Sequence, residues 1–545
     1  MSDNKHIDGQ DLKLLVEAGL SWLKTNQQLV NALNVFPVPD GDTGTNMVLT
    51  LQAAFNEIAQ SSEKNIGKMA KDFAQGALMG ARGNSGVILS QLCRGFARAM
   101  DNFETMDADI FVNALAESRN TAYKGVVRPV EGTILTVAKD MSLAAVEART
   151  KTDDLSIMLE QVVEAGEKSV ENTPELLPIL KSAGVVDSGG KGLFVIIEGM
   201  LRYIKGEPLD VALTTVQPIS ALALENAEHE IEEGQEVEVV IDFEPKGMLD
   251  IQRMYAELSD IGTSIQLGEG DGMYRMHIHT TVENQYRPID YIGTLGTWSK
   301  IAMENLLIQL ESSKSKKPEL VLADVEPGQI AVVAVSPGKG ISQIFASLGV
   351  AAIVEGGQTM NPSTEEILAS FENLSTDKIV ILPNNKNIVL AAKTSIPLSK
   401  KNVVVIPSTS IPQGLSAILR LDPDAELSEI EKEMNAALTE VKTGEVTIAT
   451  RSVALNGVDV KEGQVIGLLN GKLVVSGDEL GKTCLDLLEK ASTKDNERIT
   501  FFYGKDITRP DVDKIVDQVR EAYPDHEIEV HDGGQPHYQF ILSIE

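Results

Sequence analysis

The chain has 545 residues, 43% of them hydrophobic and 23% charged, and a net charge of −32. That length accommodates about three or four folded domains, and the apolar fraction excludes an intrinsically disordered chain. The acidic balance argues against nonspecific binding to nucleic acid or to an anionic membrane surface, because both need basic patches. The two cysteines, Cys93 and Cys484, imply no disulfide framework and fit a reducing cytosol. Residues Met1–Asp8 lack the apolar core of a signal peptide, and no run of about 18 apolar residues predicts a membrane span. A cytoplasmic protein is expected.

In chain order, a helical pattern comes first. Leu12, Leu15, Val16, Gly19, Leu20 and Leu23 recur at helical spacing, as do Ile66, Met69, Ala70, Phe73, Ala77 and Leu78. A helix carrying Val87, Ile88, Gln91 and Leu92 is expected to open at Ser85. Others are expected at about 107–123, 133–148, 153–170 and 188–205. Residues 9–205 therefore predict an all-α domain. Residues 206–225 lose this periodicity and contain Pro208 and Pro218, as a linker does.

A smaller α+β domain is expected over 225–312. Strands are predicted at Glu236–Phe243, Ser264–Leu267 and Met273–Thr280, with a helix at Asp250–Ile261. After the polar stretch Ser312–Pro318 comes a third region, 326–545. Its short apolar runs Gln329–Val335, Ala351–Glu355, Ile379–Leu382 and Asn402–Ile406 alternate with helical segments. That alternation predicts a parallel sheet, and ligands of such sheets bind beyond the strand C-termini. From about residue 443 the pattern becomes β-rich, ending in a strand at Phe540–Ile544.

The stretch Asn34–Met47, Asn-Val-Phe-Pro-Val-Pro-Asp-Gly-Asp-Thr-Gly-Thr-Asn-Met, carries the clearest chemistry. Asp40 and Asp42 are hard oxygen donors suited to Mg²⁺. Thr43, Gly44, Thr45 and Asn46 stand where a helix would begin, and helix N-termini attract phosphate. A surface turn uses the same residue types. The loop Gly80–Gly86 adds Asn84, Ser85 and Gly86 as phosphate donors, or else as a helix cap. Thr133 and the run Asp187, Ser188, Gly189 are nucleotide contacts or plain caps. No Walker A loop is present. In the middle region His277 and His279 share one strand face. With Glu236 and Glu238 on a candidate neighbouring strand they form a candidate zinc set; two histidines on a solvated strand are the alternative.

Asn34–Met47, Gly80–Gly86, Glu131–Thr133 and Asp187–Gly190 together resemble the ATP-binding L-subunit domain of dihydroxyacetone kinases. Gly356–Thr364, Leu382–Asn387, Ile411–Gly414 and Gly533–Pro536 resemble the C-terminal half of the ATP-binding component of fatty acid kinases, so the likeness covers essentially the full chain. It implies an eight-helix barrel with ATP and two Mg²⁺ ions at one end, followed by the α+β domain. The C-terminal α/β region is implied to resemble the fatty-acid-binding partner. Asn34, Asp40 and Asp42 map to the metal-holding positions; dihydroxyacetone kinases have an aspartate where Asn34 stands. Thr43–Asn46, Asn84–Gly86, Thr133 and Asp187 would contact the nucleotide. Relatives often carry a cysteine beside the middle histidines, where Glu236 stands here. The implied reaction is phosphorylation of a fatty acid, presented by a separate fatty-acid-binding protein, to an acyl phosphate. A kinase component for a small ketone and a nucleotide-responsive scaffold are the alternatives, and a homodimer is expected.

Overall fold

The computed structural model describes residues 5–33, 41–126, 128–209, 217–218, 236–247, 249–270, 273–305, 320–493 and 496–545. The chain divides into two compact units, Met1–Asp210 together with Leu320–Glu545, and Val211–Glu319.

The first unit begins with helices α1 (Gly9–Thr25), α2 (Gln27–Ala32), α3 (Thr43–Ala59), α4 (Ile66–Met79), α5 (Gly83–Arg98), α6 (Ala108–Gly125), α7 (Ile134–Arg149), α8 (Leu155–Leu176), α9 (Pro178–Ala183) and α10 (Ser188–Lys205). The eight long ones form a closed ring. Each packs on the next, and α10 returns to α1. The expected eight-helix barrel is what forms, with α2 and α9 as short connectors. Periodicity explains the ring. The positions read at helical spacing in α1 and α4 point inward, where Leu23, Ile66, Met69, Ala70 and Ala77 are wholly buried in one core. Local capping fixes the helix starts. Asp8, Asn65, Asp107 and Asp154 each accept backbone N–H groups of the helix that follows. The seam between α1 and α10 is sealed by Trp22, whose Nε1 donates to Glu198 Oε2 at 2.8 Å beneath the Arg202 guanidinium.

The same unit continues with a parallel sheet of strand order β7-β6-β8-β9, where β6 is Ile330–Ser336, β7 Ala352–Glu355, β8 Lys378–Leu382 and β9 Asn402–Val405. Every residue of β6 is buried, as a strand covered on both faces requires. The β-rich end is a mixed sheet, β14-β13-β10-β17-β15-β16. Here β10 is Lys442–Ile448, β13 Val465–Leu469, β14 Lys472–Gly477, β15 Arg498–Tyr503, β16 Glu527–Asp532 and β17 Tyr538–Ile544; β11 (Val453–Leu455) and β12 (Val458–Val460) form a separate ribbon. The two sheets share a core that joins Val332 and Leu382 to Leu468 and Ile541.

The second unit holds β1 (Gln217–Pro218), β2 (Val237–Pro245), α11 (Ile251–Ser259), β3 (Thr263–Gly270), β4 (Met273–Thr280), α12 (Arg287–Leu295) and β5 (Gly296–Asn305), in sheet order β1-β3-β4-β2-β5. Val239, Ile241, Met276 and Ile278 alternate into its core. Cys93 and Cys484 are buried free thiols, each pushed up to about 12 by desolvation, which keeps them in the unreactive thiol form. Among the described residues no helix is long and apolar enough to cross a membrane.

Candidate functional site

Asp42 stands at the N-cap of α3, yet its side chain caps nothing in that helix. Asn31 of α2 takes over. Its Oδ1 accepts from the backbone N–H of Gly44 at 2.7 Å and of Thr45 at 3.2 Å. The Asp42 carboxylate, only 9% exposed, is left to accept from Nδ2 of Asn361, 319 residues away in Leu320–Glu545, the C-terminal lobe of the same unit. The Thr45 hydroxyl faces α2, accepting from Gln27 Nε2 at 3.0 Å and Asn31 Nδ2 at 3.1 Å. A Cβ on Gly44 would strike the Gln27 carbonyl, so this glycine sets how closely α2 and α3 approach. Asn34 and Asp40 lie outside the described residues.

Thr43 meets α10. Ser188 Oγ donates to Thr43 Oγ1 at 3.2 Å. Asn46 is buried and faces the start of α5, where Gly83 has φ +58° and a Cβ would sit 2.6 Å from Asn46 Nδ2. Gly86 packs on Thr50. The helix expected to open at Ser85 opens at Gly83, whose left-handed backbone lets the chain turn in earlier. Asn84 is exposed and donates to Asn387 Oδ1 at 3.3 Å; Ser85 is half-buried. Thr133 caps α7 and donates to the Val130 carbonyl at 2.7 Å. Asp187 caps α10, accepting from Gly190 N–H at 2.6 Å, and also from the N–H of Ile134 in α7. Desolvation raises its carboxyl to about 6 against the pull of those two N–H groups. Gly189 lies against Ile134.

These contacts bring the N-terminal ends of α3, α5, α7 and α10 together. Each presents backbone N–H donors and a positive partial charge, and those of α3 and α5 have no side-chain cap from their N-cap residues. With a buried acidic oxygen donor beside them, the arrangement suits a metal-bound polyphosphate. Asp42, Thr43, Asn46, Gly83 and Ser188 meet around one spot. Thr45 turns away from it, and Thr133 serves its own helix.

The C-terminal partners of this spot had no local signal. Arg82 Nη1 donates to the Asn361 carbonyl at 3.3 Å and Nη2 to Glu366 Oε1 at 3.2 Å. Arg82 also forms a bridge with Ser363, and the Thr364 N–H donates to the Ala81 carbonyl at 3.1 Å. Asn361 falls inside the stretch Gly356–Thr364 that marks the family resemblance, but nothing in the sequence pairs that stretch with Asp42.

In the second unit His277 and His279 lie on β4 with ring centroids 4.9 Å apart. Of the two candidate carboxylates, Glu236 and Glu238, the one beside them is Glu238. The three donor sets lie within 4.8 Å of one another. Register is the reason. β2 places Glu238 opposite His279, whereas Glu236 precedes the first paired residue, Val237. His277 Nε2 stands 3.4 Å from Glu238 Oε1. Burial first, and then His279, depress the His277 imidazole to about 4, so it is neutral and able to bind a metal at neutral pH.

A concavity of about 790 Å³ opens past the C-terminal ends of β6 and β8, lined by Pro337, Gln358, Asn384, Lys386, Thr409 and Gln535 among others. It occupies the place where parallel sheets hold ligands.

Residues 37–202 match the DAK2 domain, and residues 331–545 match the FakA-like C-terminal family of fatty acid kinases. An uncharacterized protein of Staphylococcus aureus strain USA300 is 38% identical over 546 residues, covering 99% of each chain; one from strain MRSA252 matches to the same extent. Among solved structures, a DegV family protein of Corynebacterium glutamicum aligns with 40% of this chain and 96% of its own, at TM-score 0.32 and 15% identity. The linoleic-acid-loaded fatty acid kinase B3 protein of Streptococcus pneumoniae covers 40% and 99%, at TM-score 0.28 and 12% identity. The dihydroxyacetone kinase of C. freundii covers 35% and 34%, at TM-score 0.27 and 21% identity. Likenesses of that size say nothing about activity. The near-complete match to its relatives and the two domain matches place the chain in the FakA-like fatty acid kinase family, with a DAK2 domain as its helical ring.

Proposed function

We propose that this chain transfers the γ-phosphoryl group of ATP to the carboxylate of a fatty acid that a separate fatty-acid-binding protein presents. The observation that carries the reading is Asp42, a buried carboxylate that does not cap its own helix and stands among converging helix N-termini. A carboxylate oxygen of the acid bonds to the γ-phosphorus. The bond to the β,γ-bridging oxygen breaks, and its electron pair leaves on ADP, giving an acyl phosphate. With a reference pKa near 4, the acceptor is already ionised at neutral pH, so no general base is assigned. Asp42 would hold Mg²⁺, with Asp40 and Asn34 beyond the described residues as its expected companions. When bound, the ion supplies charge neutralisation for the transferring group. The N–H groups of Thr43, Gly83 and Ser188 orient the phosphates. Bringing an anion to a polyanion is the difficulty, and positioning plus these donors answers it.

The test is direct. Incubated with Mg-ATP and a fatty-acid-loaded partner, the protein yields ADP and an acyl phosphate trappable as a hydroxamate. Absence of product with every loaded partner would sink the reading.

For the second unit, the cluster Glu238, His277 and His279 favours a bound Zn²⁺, since two histidines with one carboxylate are a known zinc set. Metal analysis after purification without a histidine tag tests it, and a stoichiometry near zero rejects it.

A further inference from the structure

The loop after β7, Gly356–Ser363, belongs to the C-terminal lobe but ends in the helical ring's phosphate end. Its position is fixed at several points. The Gly357 N–H closes a turn on the Met360 carbonyl at 2.8 Å, and Ser363 with Glu366 forms a capping box on the helix Thr364–Glu372. Arg82 holds the Asn361 carbonyl and Glu366 together. Ala81 and Val87, from the ring, are buried in one core with Ile367 and Phe371. A loop so anchored is a built part of the site.

Its tip is Asn361, 3% exposed. The amide nitrogen donates to Asp42 Oδ2, and a Cβ on Gly83 would lie 3.5 Å from it. The amide oxygen Oδ1 is buried with no hydrogen-bond partner. A buried carbonyl oxygen without a donor is costly and calls for an explanation. A cation supplies one. The Asn361 carboxamide is planar, so the orphaned Oδ1 lies beside the nitrogen that meets Asp42, and a cation held by the Asp42 carboxylate would have this second hard oxygen next to it.

We propose that the metal–nucleotide site is assembled from both lobes, with the Asn361 carboxamide oxygen as a ligand to the Mg²⁺ that Asp42 holds. The inference rests on the kinase reading of Asp42. It gives the C-terminal lobe a share in the chemistry, and it supplies the partner that the buried Asn361 carboxamide oxygen otherwise lacks.

The full-length chain is titrated with Mg²⁺ at a fixed concentration of a non-hydrolysable ATP analogue, and binding is read by calorimetry. Asn361→Ala is expected to raise the half-saturating Mg²⁺ concentration about tenfold, the lower end of what losing one supporting group at a metal site costs. Asn361→Asp keeps the oxygen and adds charge, so its half-saturating Mg²⁺ concentration is expected to be equal to or below that of the unmodified chain. Its melting midpoint should also rise more on adding Mg²⁺. A purely structural amide predicts the opposite, because aspartate cannot donate to Asp42. If Asn361→Ala unfolds, the Asn361→Asp titration and its Mg²⁺-dependent melting shift still decide the matter. An unchanged Mg²⁺ dependence in Asn361→Ala, or a raised requirement in Asn361→Asp, overturns the shared site while Asp42→Ala still loses Mg²⁺-dependent binding. Unchanged dependence in Asp42→Ala overturns the underlying kinase reading as well.

Discussion

Ser188 Oγ donates to Thr43 Oγ1 across 3.2 Å, tying the first turn of α10 to the first turn of α3 although 145 residues separate them. The contact exists because the ring closes, and it sets two helix N-termini side by side. The pair should hold this end of the ring in shape more than it holds the fold. Ser188→Ala is expected to raise KM for ATP several-fold, with a loss of about 1 kcal/mol in stability, the usual net worth of one such hydrogen bond. Steady-state kinetics at saturating loaded partner checks this; an unchanged KM would separate Thr43 and Ser188 from the nucleotide.

Asp42→Ala should lower acyl phosphate formation by at least ~100-fold, the upper end of what removing even an outer-shell partner of a metal costs. Helical circular dichroism should be retained, since Asn31 rather than Asp42 caps α3. Hydroxamate trapping beside a melting curve distinguishes lost chemistry from lost fold. Wild-type turnover would remove Asp42 from the site.

Gly83→Ala forces a side chain onto φ +58° and toward Asn46 Nδ2. The left-handed conformation alone costs about 1–2 kcal/mol. At roughly 2–4 °C per kcal/mol for domains of this size, the melting midpoint should fall by several degrees. Affinity for the ATP analogue should fall with it, because Asn46 and the start of α5 must shift.

Asp187 gives a pH dependence with a definite sign. Its folded carboxyl titrates at about 6, above its ordinary 3.8, so the folded state holds a proton that the unfolded state releases. Stability from this group is therefore greatest below about pH 4 and declines as pH rises through 6. An asparagine at this position is expected to keep the cap on Gly190, so Asp187→Asn should flatten melting midpoints between pH 4 and 6 and raise them at pH 7. A steeper slope in the variant would refute the burial argument.

The His277 imidazole behaves in the other direction. Its folded value near 4 lies below the ordinary 6.5, so the second unit loses stability as pH falls from 6.5 toward 4. Zinc retention should fall over the same window, because protons compete for the neutral ring. His277→Ala should abolish zinc binding and flatten the profile, checked by metal analysis of dialysed protein across that range.

Much of this architecture was legible from periodicity. The α1 and α4 patterns and the unbroken apolar run of β6 announce a helical ring and a buried parallel sheet, because burial on one stripe or on two faces writes itself into local order. Asp42 and Ser188 were legible through helix-start chemistry. Other features depend on partners far along the chain. β5, Gly296–Asn305, has no strict alternation and takes its form from pairing with β2. Which of the two candidate glutamates meets the histidines is decided by strand register, which favours Glu238. Asn361 reaches Asp42 only once two lobes have docked, and no short-range pattern encodes that meeting.

The strand order of the mixed sheet bears on how the protein comes off the ribosome. β17 lies between β10 and β15, and its Ile541 joins the core that covers one face of the parallel sheet. Residues near 541 must therefore have emerged before that core is complete. The helical ring has all of its own helices by residue 205. A chain made only to that point thus has the ring's helices and lacks the Asn361 amide that meets Asp42.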